Sequence, residues 1–432
     1  MASIPDGVVV IEEGINPADY VIGTYLIQGE MDEDMLARTV SMAVEQTVGR
    51  GVFSLPEFNN LVEDRVAKVL SVIPVPDFES RESERNEVWQ RCIVRIAFPV
   101  ENTAYQIPML MTMLMSDISM GGMIKLVDIV LPSKFVDNFK GPKFGLQGIR
   151  EMTNTTDSKR PLVCTVLKPC VGLSAKEAGE LFFLHAVGGA DFIKDDELMS
   201  YSGDLKIEER VKAVVEAEKR AFEITGEHAI YLCNVTDSPK NILVNAKRAI
   251  EAGAPGVMLT PFSTGVATIQ ILSEDPDINV PIFAHPGGLG AMSWSPDYGI
   301  SEHIYLGKLF RLAGADICSV PVPYGRFPHK REKFIKLFKI NGSPMRNIKT
   351  IFTQTGGGID PINAYSAMQD IGNDVMLVAG GSIQQHPSGV SAGVRALRQS
   401  VQAYIDNIPL VEAAKNNGEL GMAWAKWGPK NL

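Results

Sequence analysis

Eight short apolar runs, separated by longer amphipathic stretches, fill the chain from about residue 162 onwards. Apolar runs that alternate with helical patterns are typical of parallel strands joined by crossover helices. Eight such units predict a closed (βα)8 TIM barrel, whose functional side chains lie at the carboxyl ends of the strands. The predicted strands are Leu162–Leu167, Ala190–Ile193, Ala229–Cys233, Gly256–Leu259, Pro281–Ala284, Ile317–Val320, Thr350–Phe352 and Val375–Val378.

The chain is too long for one core. Its 432 residues exceed the roughly 250–300 at which a single hydrophobic core stops growing, so two domains are expected. We predict a smaller α+β domain over residues 1–140 and the barrel over 141–432, ending in a helical tail that carries Trp424 and Trp427. The predicted elements of the first domain are the strands Tyr20–Ile27, Trp89–Phe98 and Val127–Leu131 and the helix Met31–Gln46, which has Asp32, Glu33 and Asp34 near its start.

The composition disfavours several classes of partner. A net charge of −10 argues against nucleic acid, because neutralising phosphates needs a basic surface. The most apolar run, Ile107–Met115, is too short to cross a bilayer. Acidic residues stand where a signal peptide would be basic. Five cysteines without CxxC spacing indicate reduced thiols, so we expect a cytoplasmic protein that binds neither nucleic acid nor membrane.

Polar residues and glycine runs follow six of the predicted strands. Because the carboxyl ends of barrel strands meet at one face, these residues are expected to converge there. Taken singly, each has an ordinary alternative, such as a surface lysine before a turn or a core histidine bound to backbone. The residues are Lys168, Lys194, Asn234, His285 and the runs that begin at Gly356 and Gly380.

The run from Lys194 to Glu197, Lys-Asp-Asp-Glu, suits a hard divalent cation. The two-residue period of a strand puts Lys194 and Asp196 on one face, and Glu197 can reach the same point from the loop. Mg²⁺ takes oxygen ligands and usually only a few carboxylates. An ammonium has no lone pair to give, so the lysine could join only as a carbamate formed with CO₂. We predict Mg²⁺ on carbamylated Lys194, Asp196 and Glu197; the alternative is a solvated charged turn.

Glycine runs follow the last two predicted strands. Barrel enzymes commonly bind phosphate with these two loops, where bare backbone N–H groups and the start of a short helix face the anion. Isolated glycine pairs mostly mark turns, but two runs in these two loops favour a phosphorylated or otherwise anionic substrate. The predicted binding residues are Gly357, Gly358, Gly380, Gly381 and Ser382.

Three segments resemble the RuBisCO large-chain superfamily. Gly188–Glu197 is similar to its activator-lysine segment, Thr165–Ser174 to its Lys-Pro-x-x-Gly-Leu segment, and the order of segments matches as far as Ala379–Ser382. The resemblance implies a C-terminal (βα)8 barrel with a smaller N-terminal α+β domain of ferredoxin-like type. It also implies Mg²⁺ held by the carbamate of Lys194.

The resemblance assigns roles to further residues. Lys168 matches the lysine that handles protons during enolisation, and a nearby metal and Lys194 would lower its pKa. His285 matches an active-site histidine. Glu45 matches a glutamate supplied to the active site of the neighbouring subunit, so a homodimer or an assembly of dimers is expected.

The sequence departs from the carboxylating members at several positions. Cys170 stands where they have a second lysine, and Pro286 and Ser319 stand where they hold a second phosphate. Arg50 and Gly51 replace a Thr-Trp pair, which puts a phosphate contact from the first domain in doubt. A substrate with one phosphate, or with one phosphate and a carboxylate, therefore fits better than a bisphosphate.

The loop after the sixth predicted strand, Val322–His329, lacks the lysine that holds CO₂ in carboxylating members. Arg326 either replaces that cation for a substrate carboxylate or is a surface residue. The Tyr-Gly-Arg-Phe sequence of the loop resembles RuBisCO-like proteins of form IV type. Ribulose-bisphosphate carboxylation is not expected.

Three functions remain open. The first expectation is Mg²⁺-dependent decarboxylation or C–C cleavage of a β-keto sugar-acid phosphate, as in apiose-type catabolism. The alternative is enolisation or isomerisation of a methylthio-sugar phosphate in methionine salvage. Salvage enolases use a lysine base from the N-terminal domain, and the comparable stretch here has Asp117 instead. The third is a non-catalytic scaffold or regulatory protein, against which the intact Lys194, Asp196 and Glu197 argue.

Overall fold

A computed structural model of the chain describes residues 5–52, 63–75, 89–199 and 205–429. Its contacts divide the chain into two compact units. The first unit combines Met1–Phe139 with Gly288–Tyr305, and the second combines Lys140–Gly287 with Leu306–Leu432. No helix in the described ranges is both long and apolar enough to cross a bilayer.

The first unit is built on a five-stranded sheet. Its strands, numbered in chain order, are β1 (Tyr20–Glu30), β2 (Lys68–Pro74), β3 (Trp89–Pro99), β4 (Ile124–Val130) and β10 (Gly299–Ile300). They lie in the order β10-β4-β1-β3-β2, with β1 antiparallel to both β3 and β4. Buried and more exposed residues alternate along most of β1, as in a sheet that buries one face.

Helices of the first unit are α1 (Met35–Glu45), α2 (Ile107–Met115), α3 (Ser133–Val136) and α10 (Leu289–Ser293). The predicted helix Met31–Gln46 starts later in the structure. Asp34 is the N-cap, and its side chain accepts the N–H of Ala37 at 3.0 Å. Since a capping side chain satisfies an N–H of the first turn, it fixes where the helix begins.

The segment Gly288–Tyr305 joins the sheet of the first unit. Its two-residue strand β10 pairs in parallel with Lys125 and Leu126 of β4. Nζ of Lys125 also donates to the backbone oxygens of Ser293, at 2.9 Å, and Ser295. The expected division at residue 140 did not include this segment, because a two-residue strand has no readable period.

The second unit contains a closed barrel of eight parallel strands, which confirms the predicted fold class. The strands follow the order β11-β12-β13-β5-β6-β7-β8-β9 around the barrel, and buried residues from every strand fill the core. The strands are β5 (Leu162–Val166), β6 (Phe192–Lys194), β7 (Ile230–Asn234), β8 (Val257–Leu259), β9 (Ile282–Ala284), β11 (Ile317–Pro321), β12 (Phe352–Gly356) and β13 (Met376–Ala379).

Every strand of the barrel differs from its predicted bounds by at least one residue, and two of the differences affect the site. Strand β6 ends at Lys194 instead of Ile193, so the lysine belongs to the strand. Strand β12 begins at Phe352, where the predicted strand ended, and it includes Gly356. The polar sequence Thr-Gln-Thr in β12 hid it from a pattern that relies on apolar runs.

The helices of the second unit surround the barrel and form the tail. Ser174 begins the first crossover helix with a capping box, in which its side chain and that of Glu177 each accept a hydrogen bond from the other's backbone N–H. The helices are α4 (Gly145–Met152), α5 (Ala175–Ala186), α6 (Ile207–Thr225), α7 (Pro239–Glu251), α8 (Pro261–Thr264), α9 (Ala267–Glu274), α11 (Phe310–Ala313), α12 (Arg331–Asn341), α13 (Asn363–Ile371), α14 (Gly381–Gln384), α15 (Val390–Ile405), α16 (Leu410–Asn416) and α17 (Gly418–Trp427).

Candidate active site

Three predicted metal ligands lie together at the carboxyl end of β6. Lys194 is the last strand residue, and only 3 % of it is exposed. Its Nζ lies 3.9 Å from Oε2 of Glu197 and donates to the backbone oxygen of Asp195 at 2.9 Å. Asp196 is also buried, while Glu197 is about a third exposed.

Two residues from other strand ends complete the cluster. Lys168 follows β5, and its Nζ donates to Oδ2 of Asp196 at 2.5 Å. His285 follows β9, and its Nε2 lies 3.5 Å from Oε2 of Glu197. The structure therefore places five predicted site residues around one point: Lys168, Lys194, Asp196, Glu197 and His285.

Asp195 faces the opposite side from its neighbours and enters a buried network. Its Oδ2 lies 3.0 Å from Nη2 of Arg210, and its Oδ1 accepts the hydroxyl of Tyr231 at 2.5 Å. Neither member of the Asp195–Arg210 pair is more than 1 % exposed. Because successive side chains point to opposite faces, Asp195 enters the core while Lys194 and Asp196 face the site.

The electrostatics of Lys194 and Lys168 differ. Burial lowers the pKa of Lys194, although the nearby Glu197 carboxylate opposes the effect. Burial also lowers the pKa of Lys168, but hydrogen bonds to Asp196 and Cys170 outweigh it, so its net pKa is raised. The expected lowering of the Lys168 pKa assumed a metal ion beside the lysine; without the ion the lysine is paired with a carboxylate, and its pKa is raised.

Two further groups of the cluster have shifted pKa values. Burial strongly lowers the pKa of His285, and the positive charge of Lys194 adds to the effect, so the imidazole is neutral. Burial opposes ionisation of Asp196, but the hydrogen bonds from Lys168 and from the N–H of Leu198 leave its pKa lowered.

Cys170 contacts the same lysine. Nζ of Lys168 lies 3.0 Å from its Sγ, so the lysine bridges a carboxylate and a sulfur. All five cysteines of the chain are free thiols, and Cys170 is partly exposed whereas the other four are buried. The residue that replaces a second lysine is thus placed beside the first.

The two glycine loops lie next to each other and next to Lys168. The hydroxyl of Ser382 donates to the backbone oxygen of Ile359 at 2.6 Å and so joins the loop after β13 to the loop after β12. A methyl group added at Gly380 would lie 4.0 Å from Cε of Lys168. Gly357 and Gly358 have φ values of +84° and +120°, which side chains rarely adopt.

Arg326 approaches the glycine loop through its backbone. Its N–H donates to the backbone oxygen of Gly357 at 2.9 Å, and its guanidinium packs over the ring of Phe327. The side chain of Phe327 also lies against Gly357, where an added Cβ would approach the ring to 2.5 Å. The loop after β11 therefore packs against, and hydrogen-bonds to, the glycine loop after β12.

Glu45 belongs to the first unit, where it is the last residue of α1. Its Oε2 pairs with Nη2 of Arg50 at 2.5 Å, and the pair lines a cavity of about 590 Å³. Asp117 lines the same cavity. The arginine that replaces part of the Thr-Trp pair is thus the ion-pair partner of the predicted functional glutamate.

Comparison with known proteins identifies the family. The model of the ribulose bisphosphate carboxylase large chain, catalytic domain, matches residues 145–427. The chain belongs to the RuBisCO large-chain family. A ribulose bisphosphate carboxylase-like protein of Archaeoglobus fulgidus is 39% identical over 393 residues, covering 91% of this chain and 89% of that protein.

Two other relatives of this RuBisCO-family chain are similar over most of their length. A protein of Bacillus licheniformis, named 2,3-diketo-5-methylthiopentyl-1-phosphate enolase, is 35% identical over 354 residues, or 82% of this chain and 86% of that protein. The crystal structure of a rubisco-like protein from Alicyclobacillus acidocaldarius has a TM-score of 0.86 and 33% identity, covering 96% of this chain and 100% of that one.

The donor atoms of the RuBisCO-family site fit a hard cation in part. Asp196 and Glu197 provide carboxylate oxygens, which Mg²⁺ prefers. The described residues contain no group of three or more His, Cys, Asp or Glu placed to hold a metal ion. A third protein oxygen would therefore have to come from Lys194, whose amine is beside Glu197 and whose pKa is lowered by burial.

Two structural features of this RuBisCO-family site were not foreseen. Arg210 lies inside α6 and carried no sequence signal, since a helical arginine is usually a surface residue. Asn234 was placed at a strand end without a role. The structure puts its side chain against the backbone of Asp196 and Glu197.

Proposed function

We propose that this RuBisCO-like chain is a Mg²⁺-dependent enolase of the isomerase type, acting on a phosphorylated diketone of the methylthio-sugar class. The observation that carries the proposal is the convergence of Lys168, Lys194, Asp196 and Glu197 at one end of the barrel. The enolase name of the Bacillus licheniformis relative favours this reaction over the decarboxylation expected first. Decarboxylation of a sugar acid is therefore not carried further.

Asp196, Glu197 and a carbamate on Lys194 would hold the cation. Carbamylation needs a neutral amine, and burial favours the neutral form of Lys194. When bound, Mg²⁺ supplies stabilisation of the negative charge that develops on the substrate oxygens during enolisation. The protein contributes the placement of these side chains on a rigid strand end.

Lys168 is the residue proposed to move the proton. Enolisation removes a proton from the carbon beside a ketone, shifts the electron pair to the ketone oxygen, and returns a proton to that oxygen. Nζ of Lys168 is within hydrogen-bond distance of Asp196 and so lies beside the proposed metal ligands. No lysine occurs in the stretch 115–118, which leaves Lys168 as the candidate proton carrier. To act as a base it has to give up the hydrogen bond to Asp196, because that bond raises its pKa.

The substrate phosphate is assigned to the two glycine loops. Backbone N–H groups of Gly357, Gly358, Gly380 and Gly381 are not shielded by a Cβ, so an anion can approach them closely. The hydrogen bond from Ser382 to Ile359 keeps the two loops adjacent. The proximity of Gly380 to Lys168 supports a phosphate position near the reacting carbon.

The direct test is exchange of the substrate proton with solvent. The protein is incubated in D₂O with Mg²⁺ and bicarbonate and with 2,3-diketo-5-methylthiopentyl-1-phosphate, and proton NMR follows the signal of the carbon that bears the phosphate. We expect loss of that signal with the wild type and not with Lys194→Met. Lys206→Met, which alters an exposed lysine of the same unit, is the matched control.

Three results would overturn the proposal. Full exchange by Lys194→Met would show that the metal triad is not needed. Exchange with phosphorylated β-keto acids only, with release of CO₂, would restore decarboxylation. A lack of exchange with either class of substrate would favour the scaffold function.

We also propose that the protein acts as a homodimer in which Glu45 serves the site of the second subunit. Glu45→Gln and Lys194→Met would then each inactivate the enzyme. Co-expressed, they would regain about a quarter of the wild-type activity, because half of the dimers are mixed and each mixed dimer has one intact site. No recovery would place Glu45 and Lys194 in the site of one subunit, and full activity of Glu45→Gln alone would remove Glu45 from the reaction.

A further inference from the structure

Asn234 binds three backbone oxygens of one turn. It is the last residue of β7, and only 3 % of it is exposed. Its Nδ2 lies 3.3 Å from the oxygen of Asp196, 3.2 Å from that of Glu197 and 3.1 Å from that of Met199. An amide nitrogen carries only two protons, so at least one proton is shared between two of these oxygens.

The orientation of this amide is fixed by its other end. Oδ1 of Asn234 accepts two hydrogen bonds from Thr236, one from its N–H at 3.0 Å and one from its hydroxyl at 2.6 Å. An exchange of the oxygen and nitrogen would set an oxygen against three carbonyls and a nitrogen against an N–H donor. The nitrogen therefore has to face the turn.

The backbone of Asn234 also binds this segment, through Asp195. Its N–H donates to Oδ2 of Asp195 at 2.8 Å, and Arg210 pairs with that carboxylate. Among the described residues, the turn itself contributes two short-range bonds, from the N–H groups of Leu198 and Met199 to Asp196. One buried asparagine thus connects β7 to three successive parts of the segment that carries Asp196 and Glu197.

We propose that Asn234 is a positioning residue, which sets the directions of the Asp196 and Glu197 carboxylates through the backbone of their turn. The proposal rests on the metal site of the proposed function. Ligand-orienting groups outside the ligand set commonly change metal affinity by about 10–100-fold when removed. Loss of Nδ2 frees three carbonyl oxygens at once, and the turn then samples conformations in which the carboxylates diverge.

The test uses Asn234→Ala and the nearly isosteric Asn234→Asp, which replaces the donor by an oxygen. Asn341→Ala is the matched control, since Asn341 is also buried and its Nδ2 makes two hydrogen bonds, to Cys318 and Thr353. Mn²⁺ affinity is measured by electron paramagnetic resonance. Amide hydrogen exchange of residues 196–199 is measured on the metal-free protein by mass spectrometry and NMR.

Both Asn234 variants are expected to bind Mn²⁺ about 10–100-fold more weakly. The N–H groups of Leu198 and Met199 are expected to exchange about tenfold faster, while Asn341→Ala changes neither quantity. Wild-type affinity together with wild-type exchange in Asn234→Asp would overturn the inference. If the wild type binds no Mn²⁺, the proposed metal site fails, and hydrogen exchange alone then decides whether Asn234 holds the turn.

Discussion

Nζ of Lys168 and Oδ2 of Asp196 are joined by a 2.5 Å hydrogen bond, so a proposed proton carrier is paired with a proposed metal ligand. The ammonium and a metal cation therefore compete for the same carboxylate. Removal of the lysine should therefore leave metal binding unchanged or tighter but slow proton transfer, so the two functions can be measured separately.

Lys168→Met is expected to bind Mg²⁺ at least as tightly as the wild type and to lose catalysis about 10²–10⁴-fold. Metal binding is measured by titration calorimetry and turnover by the exchange of the substrate proton. Lys168→Arg is the matched control, because it keeps the cation but holds its proton permanently, so it should compete with the metal and remain inactive. Normal turnover by Lys168→Met would remove this lysine from the reaction.

The buried pair of Arg210 and Asp195 gives a prediction about stability. Arg210→Met leaves a carboxylate buried without its cation, and broken pairs of this kind cost about 3–5 kcal/mol. Arg248→Met breaks the more exposed pair with Glu208 and should cost no more than about 1 kcal/mol. Urea unfolding of both variants, followed through the barrel transition, compares the two losses. Equal losses would show that Asp195 is stabilised by Tyr231 and Asn234 without the arginine.

The sequence predicted which strand-end residues lie together in the structure, but not how their side chains pair. The barrel follows from apolar runs and their spacing, and closure of the barrel brings Lys168, Lys194 and His285 together. Pairing depends on distances of a few tenths of an ångström, which no pattern encodes. For this reason the raised pKa of Lys168 and the bonds of Asn234 emerged only from the structure.

Local geometry also accounts for the shifted boundaries. An acidic run marked the start of α1, but only Asp34 has its carboxylate on an N–H of the first turn. The strand β12 contains three buried polar residues, Thr353, Gln354 and Thr355, so its sequence lacks the apolar run by which a buried strand is predicted. The strand β10 is two residues long and depends on pairing with β4, which is distant in sequence.

The glycine loop after β12 provides a test of backbone geometry. A Cβ on Gly358 would come within 2.8 Å of the N of Arg326, and the φ of +120° is unfavourable for alanine. Gly358→Ala is therefore expected to displace the loop and to raise the substrate KM about tenfold or more, by weakening phosphate binding. The measurement is the steady-state rate over a range of substrate concentrations.

Gly372→Ala is the control for this substitution. Gly372 also has a positive φ, +84°, but an added Cβ would have no atom within 4 Å. Both variants place an alanine at a positive φ, which costs about 1–3 kcal/mol, so both should lose stability. Only Gly358→Ala should lose substrate affinity, and an equal KM effect in both would assign the loss to general destabilisation.

His185 predicts a specific response to acid. It is fully buried in α5, and neither ring nitrogen has a hydrogen-bond partner among the described residues. Burial lowers its pKa from 6.5 to about 4. Above pH 6.5 the imidazole is neutral in both states. Between pH 6.5 and 4 the unfolded chain binds a proton that the folded chain excludes, so the free energy of unfolding falls as the pH falls.

The size of this effect follows from the shift, and His185→Leu isolates it. From pH 7 to pH 4.5 the wild type should lose about 2.4 kcal/mol through this histidine, and the variant should lose that much less. Urea unfolding at the two pH values measures both losses. Equal losses in the two proteins would mean that the acid response comes from other groups, such as His285 and the paired carboxylates, and that His185 is able to accept its proton without unfolding.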